Sequence, residues 1–211
     1  MKAHHELPLH CGGIYHVYNR TNNKEELFLD DENKKFFLSK YQEYLSPFVD
    51  TYAYCLLSNH FHFLIKVKPL EDLLKISKDK ARIIEGTIVS EYFRRFFISY
   101  TKAYNKSNGR QGNLFNRPFK RKNVSDSAYF CHTVFYINHN PQKHGLVEHF
   151  SEYEWSSFYD LVNGNVTFLD TKTVMDAFGG ELFFLAYHDK QAHDISRHDM
   201  SIKNGDVMSK I

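Results

Sequence analysis

The 211-residue chain is 42% hydrophobic and 16% aromatic, which excludes a wholly disordered protein and supports one main domain with a core built largely of rings. Its net charge of +2 with neutral histidines excludes a polycation, so any nucleic-acid site must be a local basic patch. Cys11, Cys55 and Cys131 form no Cys-x-x-Cys pair, and no run nears the ~20 apolar residues of a membrane span, so neither a disulfide scaffold, a thiolate zinc site nor a membrane partner is expected.

The N-terminal stretch lacks the apolar run of a signal peptide, and a cytoplasmic location is the expectation. Residues 1–12 read as a flexible leader in which His4, His5 and His10 are exposed. From Ile14 to Arg20 apolar and polar residues alternate as in a strand, with His16 on the Ile14/Tyr18 face and read as a packed or edge histidine. Asp30 or Asp31 can cap a helix running to about Leu45. Two strands, 49–57 and 60–67, follow around the tight turn Ser58-Asn59. Residues 70–84 are basic and read as helix or loop, and 88–104 repeat at strongly helical spacing. After a turn-rich basic loop at 105–112, a fourth strand is expected at 119–124, entered past Pro118. Strand, helix, strand, strand, helix, strand is the order of a split β-α-β sheet, an α+β ferredoxin-like (RRM-like) fold with an antiparallel sheet.

Ser125-Asp126-Ser127 offers a cap for a further helix that Pro141 should end. Its apolar stripe reads as Ala128, Cys131, Val134 and Phe135, with Tyr129, Thr133, Tyr136 and Asn140 opposite. The runs Trp155-Ser156-Ser157-Phe158-Tyr159 and Leu182 to Tyr187 are expected to pack against the main sheet, and His188, His193 and His198 to sit on a flexible tail. The domain plan is therefore a leader at 1–12, a main domain at 13–160, a packing extension at 161–190 and a tail at 191–211.

Within the third strand, His60 and His62 flank Phe61 and share a face, and two adjacent imidazoles are half a metal site. Thirteen histidines yield about one such pair by chance, so its weight depends on what completes it. His60-Phe61-His62 after an apolar strand, Leu114-Phe115-Asn116-Arg117-Pro118-Phe119-Lys120 downstream, and Tyr136-Ile137-Asn138-His139-Asn140-Pro141 continuing to Gly145-Leu146-Val147 together resemble the single-tyrosine HUH transposases. The IS200-like group and its REP-associated tyrosine transposases are the members they resemble most, over residues 13–159.

The resemblance implies a catalytic Tyr136 and a metal site of His60, His62 and Asn140, with His139 second in line to Asn140. Residues i and i+4 share a helix face, so Tyr136 and Asn140 can address one phosphate. It also implies a transposase-type single-stranded DNA endonuclease and strand-transferase working through a covalent 5′-phosphotyrosine, with Mg²⁺ or Mn²⁺ as cofactor, on single-stranded or hairpin DNA. Arg110, Arg117, Lys120, Arg121, Lys122 and Lys143 are the expected DNA contacts, with His144 beside the last of them. Such a protein can be mobile or domesticated, and a homodimer is allowed. The alternatives are a non-catalytic nucleic-acid-binding module on the same fold, and a hydrolase that uses water in place of the tyrosine.

Overall fold

Four antiparallel strands, β1 (Ile14–Arg20), β2 (Val49–Leu57), β3 (His60–Val67) and β4 (Lys120–Asn123), form a sheet in the order β2-β3-β1-β4. The computed structural model describes residues 7–164 and 168–208, with side chains as far as 195. Two helices connect the strands in the ferredoxin-like manner: α1 (Asp31–Leu45) between β1 and β2, and α4 (Ile88–Ser107) between β3 and β4. Asp30 caps α1 by accepting from the Asn33 amide at 2.7 Å. The 70–84 stretch, read as helix or loop, is two short helices, α2 (Leu70–Ile76) and α3 (Lys80–Ile84).

Antiparallel partners point to the same side, so the register divides the sheet cleanly. Val17, Phe61, Phe63 and Ile65 face α1 and α4, where Phe37, Tyr41, Phe93, Phe96 and Tyr100 complete a dry slab of rings. Tyr41 stacks on Phe63 at 4.0 Å between centroids, and Phe37 meets Phe96 edge-on at 4.8 Å. Opposite Val17, Arg121 shares that face, while His16, Tyr18, His60, His62, Lys120 and Lys122 share the other.

The second face is covered by α5 (Ser127–Lys143), which packs on β2 and β3. Its buried residues include Phe130, Val134 and Ile137, whereas Ala128, expected in the apolar stripe, is exposed. Pro141 does not end this helix. A proline in the last turn forfeits one hydrogen bond, that to the Ile137 carbonyl. The helix continues past it nonetheless, with the Asn140 side-chain amide donating to the Tyr136 carbonyl at 2.7 Å and the His144 amide to the Asn140 carbonyl at 2.9 Å. One more turn therefore carries Lys143 and His144 back over the sheet.

The outer edge of β2 is met by chain that follows α5. Leu56 donates its amide to the Trp155 carbonyl at 2.9 Å, Cys55 bridges Ser156, and Thr51 bridges Leu169. The first aromatic run thus packs against the sheet, with Ser156, Ser157 and Phe158 buried at the start of α6 (Ser157–Asn163). Residues 7–12, expected in the leader, are tied down: the Leu9 amide donates to the Gly86 carbonyl at 2.8 Å and the Gly12 amide to the Val67 carbonyl at 2.9 Å. His4 and His5 lie outside the described residues.

A second compact unit begins at Lys172, within α7 (Thr171–Phe178), and continues in α8 (Glu181–Met208). Inside it Phe178 packs on Phe184, Tyr187 and His188. Two of the apolar residues expected to pack do not: Leu182 is 82% and Phe183 64% exposed, because helical spacing turns them away from Phe184. His188, expected on a tail, is fully buried, its Nδ1 hydrogen-bonded to the Phe184 carbonyl at 2.8 Å. The 191–208 stretch read as tail continues α8, with His193 exposed on it, and the side chain of His198 lies outside the described residues.

Candidate functional site

The strand register that puts rings on one face assembles histidines on the other. His62 lies opposite Tyr18 on β1, and His60 opposite Arg20. His16, one step along β1, brings its Nε2 to 2.9 Å from His62 Nδ1. His60 Nδ1 hydrogen-bonds the Asn59 Oδ1 acceptor at 2.7 Å, so its proton sits on Nδ1 and its Nε2 carries the lone pair. If His62 donates from Nδ1 to His16, its own Nε2 is likewise left as a lone pair. Two oriented imidazoles with basic outer nitrogens are what a metal ligand pair requires.

Electrostatics keep these rings neutral. Burial, with the nearby Lys122 ammonium, lowers the His16 pKa to about 3, and burial, with His144 and Arg20, lowers that of His60 to about 4. Burial also holds His62 well below the usual imidazole range, followed by its histidine neighbours and Lys143. Neutral imidazole is the ligating form.

Tyr136 arrives from α5, its ring meeting those of His16 and His62 edge-on at 5.8 Å each. Burial raises its phenol pKa, with hydrogen bonding by Asn140 acting in the opposite sense and Cys55 adding a small push upward. Lys143, on the extra turn past Pro141, sets its Nζ 5.0 Å from the centre of the Tyr136 ring. His144 brings its ring to 5.0 Å from His60. One helix thus contributes a phenol, an amide, an ammonium and an imidazole.

Asn140 is fully buried, and its Oδ1 has no hydrogen-bond partner while its Nδ2 is engaged. A buried carbonyl oxygen without a donor is costly unless something electropositive meets it. Among the described residues no three His, Cys, Asp or Glu side chains form a metal-binding group. The two neutral imidazoles on β3 and this amide oxygen on α5 are donors of the hard and borderline kind that Mn²⁺ or Mg²⁺ accepts. His139, the second in line, stacks on Phe135 at 5.0 Å and lies near Phe150, in the packing behind the helix. Asn138 is also structural: its Oδ1 accepts from Ser157 Oγ at 2.7 Å, and Ser157 Oγ accepts from the Tyr54 amide at 3.0 Å.

A cavity of about 580 Å³ opens beside the histidines, lined by Tyr18, Arg20, Lys24, His60, Lys120 and His144 among others. It holds three of these basic chains and no carboxylate. Of the expected DNA contacts, Lys120 and Lys122 share the histidine face, Lys143 covers Tyr136, and Arg117 is exposed but does not line this cavity. Arg121 is not with them. Strand alternation sends it to the opposite face, 6% exposed, with its guanidinium 4.1 Å from the Phe119 ring centre and one nitrogen on Ser90 Oγ. Arg110 organises its own loop, donating to Glu25 at 2.7 Å, to Asn105 at 3.1 Å and to nearby carbonyls. The sequence reading missed Arg20, Asn59 and the role of His16. The alternation of β1 was a signal for two of these, since it places His16 and Arg20 on the Tyr18 face.

No family model matches the chain. A Haemophilus influenzae protein provisionally named a REP-associated tyrosine transposase is 26% identical over 159 residues, covering 74% of this chain and 85% of that one. A solved structure of a REP-associated tyrosine transposase, bound to a REP hairpin, superposes with a TM-score of 0.54 at 17% identity, covering 80% of this chain and 90% of that one. The chain therefore resembles REP-associated tyrosine transposases in sequence and shares the fold of one of them.

Proposed function

We propose that this protein is a divalent-metal-dependent DNA transesterase of the transposase type, cutting and rejoining single strands next to a DNA hairpin through Tyr136. The observation that carries the reading is the meeting of the Tyr136 ring with His62 and His16 at 5.8 Å, on the face where His60 and His62 present oriented, neutral imidazoles. The hairpin comes from the relative solved with a REP hairpin, and the basic, carboxylate-free cavity beside His60 suits such a strand.

In the step envisaged, the Tyr136 hydroxyl oxygen bonds to the scissile phosphorus as the bond from phosphorus to O3′ breaks. The phenol gives up its proton, the leaving O3′ gains one, and the products are a 5′-phosphotyrosine and a free 3′-hydroxyl. Another 3′-hydroxyl can reverse the step without ATP, because the phosphodiester energy is kept in the phosphotyrosine. Burial works against ionisation of this phenol, and hydrogen bonding by Asn140 works in its favour. Mg²⁺ or Mn²⁺ held by His60, His62 and Asn140 would supply neutralisation of phosphate charge. Asn59 would hold His60 in the tautomer that can ligate, His16 would do the same for His62 by accepting from its Nδ1, and Arg20 and Lys120 would grip flanking phosphates.

The test is incubation with hairpin-bearing single-stranded DNA and Mn²⁺, followed by denaturing electrophoresis. A covalent protein–DNA adduct is expected, abolished by Tyr136→Phe, by His60→Ala and by chelator. An adduct that survives Tyr136→Phe sinks the tyrosine mechanism; DNA cleavage without adduct points to water as the nucleophile, and binding without cleavage to a module that only recognises DNA.

A further inference from the structure

The turn that follows β1 is held in a conformation its residues disfavour. Among the described residues, Asn23 (φ 56°) and Lys24 (φ 59°) are the non-glycine residues with a left-handed backbone. Asparagine tolerates that region because its short amide can bond locally, whereas lysine has no such compensation for the crowding of its Cβ. The neighbours impose it. Thr21, itself buried, donates its amide to the Asn59 carbonyl at 2.9 Å and its hydroxyl to the Glu25 carbonyl. Asn22 donates its amide to the Leu114 carbonyl at 2.9 Å and its side-chain nitrogen to the Asn113 carbonyl at 3.1 Å. Strain of this kind persists only where the surroundings fix it, and it gathers at sites that need one defined geometry.

The side chain held this way has no structural duty. Lys24 is exposed, and its ammonium makes no ion pair or hydrogen bond among the described residues. The acid next to it, Glu25, is taken by Arg110, which donates to its carboxylate at 2.7 Å. Lys24 therefore keeps its charge unneutralised, and it lines the same cavity as Arg20, His60 and Lys120. The turn is also tied to the imidazole side of that cavity through one residue. Asn59 accepts the Thr21 amide on its carbonyl and hydrogen-bonds His60 through its side chain. Lys24 and His60 are thus set in place by the same short stretch of chain.

We infer that Lys24 is a strand-positioning residue: the strained turn fixes its ammonium on a backbone phosphate near the scissile one, so that the DNA crosses His60 in a single register. The inference rests on the transesterase reading for the cut, and on the turn itself for the phosphate contact. A lysine on a pliant loop would add to affinity alone. One whose backbone is fixed adds to alignment as well, and alignment is read in the rate at saturation.

The test uses the full chain and two measurements. Adduct formation at saturating hairpin-bearing single-stranded DNA with Mn²⁺ gives the rate. Fluorescence anisotropy in a Tyr136→Phe background, repeated across salt concentrations, counts the phosphates neutralised. Lys24→Gln, which loses the charge, is expected to slow adduct formation about tenfold. It should also reduce the slope of log affinity against log salt by about 0.7, and Lys24→Arg should keep both slope and rate. Lys24→Gly probes the backbone: it should react as slowly as Lys24→Gln yet unfold at a higher urea concentration, since glycine adopts a left-handed backbone freely. A residue kept for the fold would do the reverse. Parental rate in Lys24→Gln overturns the positioning role, and a parental salt slope overturns the phosphate contact. A Lys24→Gly protein no more stable than Lys24→Gln overturns the strained turn as its cause. The transesterase reading fails separately, if the parent forms no adduct, and the salt slope then still decides the contact.

Discussion

On one face of the sheet Phe37, Tyr41, Phe61, Phe63 and Phe96 meet ring on ring, while on the other His16, Tyr18 and His62 lie beneath α5 with polar atoms that each need a partner. The first face is satisfied by volume: any shape that fills the slab keeps it. The second is satisfied by geometry, because a buried imidazole or amide without its hydrogen bond costs more than the bond itself gains. An aromatic slab whose hydroxyls are satisfied locally, Tyr41 on Thr51 Oγ1 and Tyr100 on the Leu27 carbonyl, leaves the other face free for polar side chains. Changes on the two faces should consequently be read by different instruments, stability on the first and metal or DNA on the second.

The largest effect is expected from Phe63→Ala. Phe63 is fully buried and stacked on Tyr41, so its loss leaves a cavity and should cost about 3–5 kcal/mol of unfolding free energy in urea. A loss below ~1.5 kcal/mol would mean that the slab collapses onto the gap and is looser than its ring contacts imply. Asn138→Ala comes next. It removes the acceptor of the Asn138–Ser157–Tyr54 chain that pins α5 and α6 to β2, and about 1–3 kcal/mol is expected. Because α5 carries Tyr136, adduct formation in that variant should recover at lower temperature, where the fold is restored.

His16→Ala is the sharpest probe of the polar face. Removing the partner of His62 Nδ1 frees that ring to turn and to change tautomer, and Mn²⁺ affinity measured by calorimetry should fall about tenfold, roughly 1.4 kcal/mol. His60→Ala should remove binding altogether. Unchanged Mn²⁺ affinity in His16→Ala would assign His16 to packing alone.

Much of this contrast was legible in the sequence. The alternation in His60-Phe61-His62 correctly separated a histidine side from a phenylalanine side, and the helical repeat around Phe93 and Phe96 located the slab. The same rule, carried through β4, would have turned Arg121 away from Lys120 and Lys122; a cluster of charges in sequence is not a cluster on one face of a strand. Pro141 misled for a different reason. Proline rules describe backbone preference, and one lost bond in a last turn does not stop a helix whose next amide, that of His144, still reaches the Asn140 carbonyl. The alternation of β1 gave the face of His16 but not its partner, because the contact with His62, 46 positions away, appears only with strand pairing.

The smallest effect belongs to the rim of the aromatic side. Glu91 on α4 accepts from Arg94 at 2.7 Å and Arg95 at 2.9 Å, and these guanidinium groups, Arg94 first, hold its carboxyl down to about 2. A carboxylate with a folded pKa below its unfolded value of 4.5 stabilises the native state above that pH, and the contribution is lost as pH falls from about 4.5 towards 2. The Glu91 side chain is 12% exposed but its partners are 59% and 52% exposed, so solvent screens the pairs and their worth should stay below ~1 kcal/mol. Urea unfolding of wild type and Glu91→Gln should differ by that amount at pH 7 and converge near pH 2, and added salt should shrink the gap. A difference that is independent of pH and salt would show that Glu91 acts through packing, and that the aromatic side is governed by volume even at its charged edge.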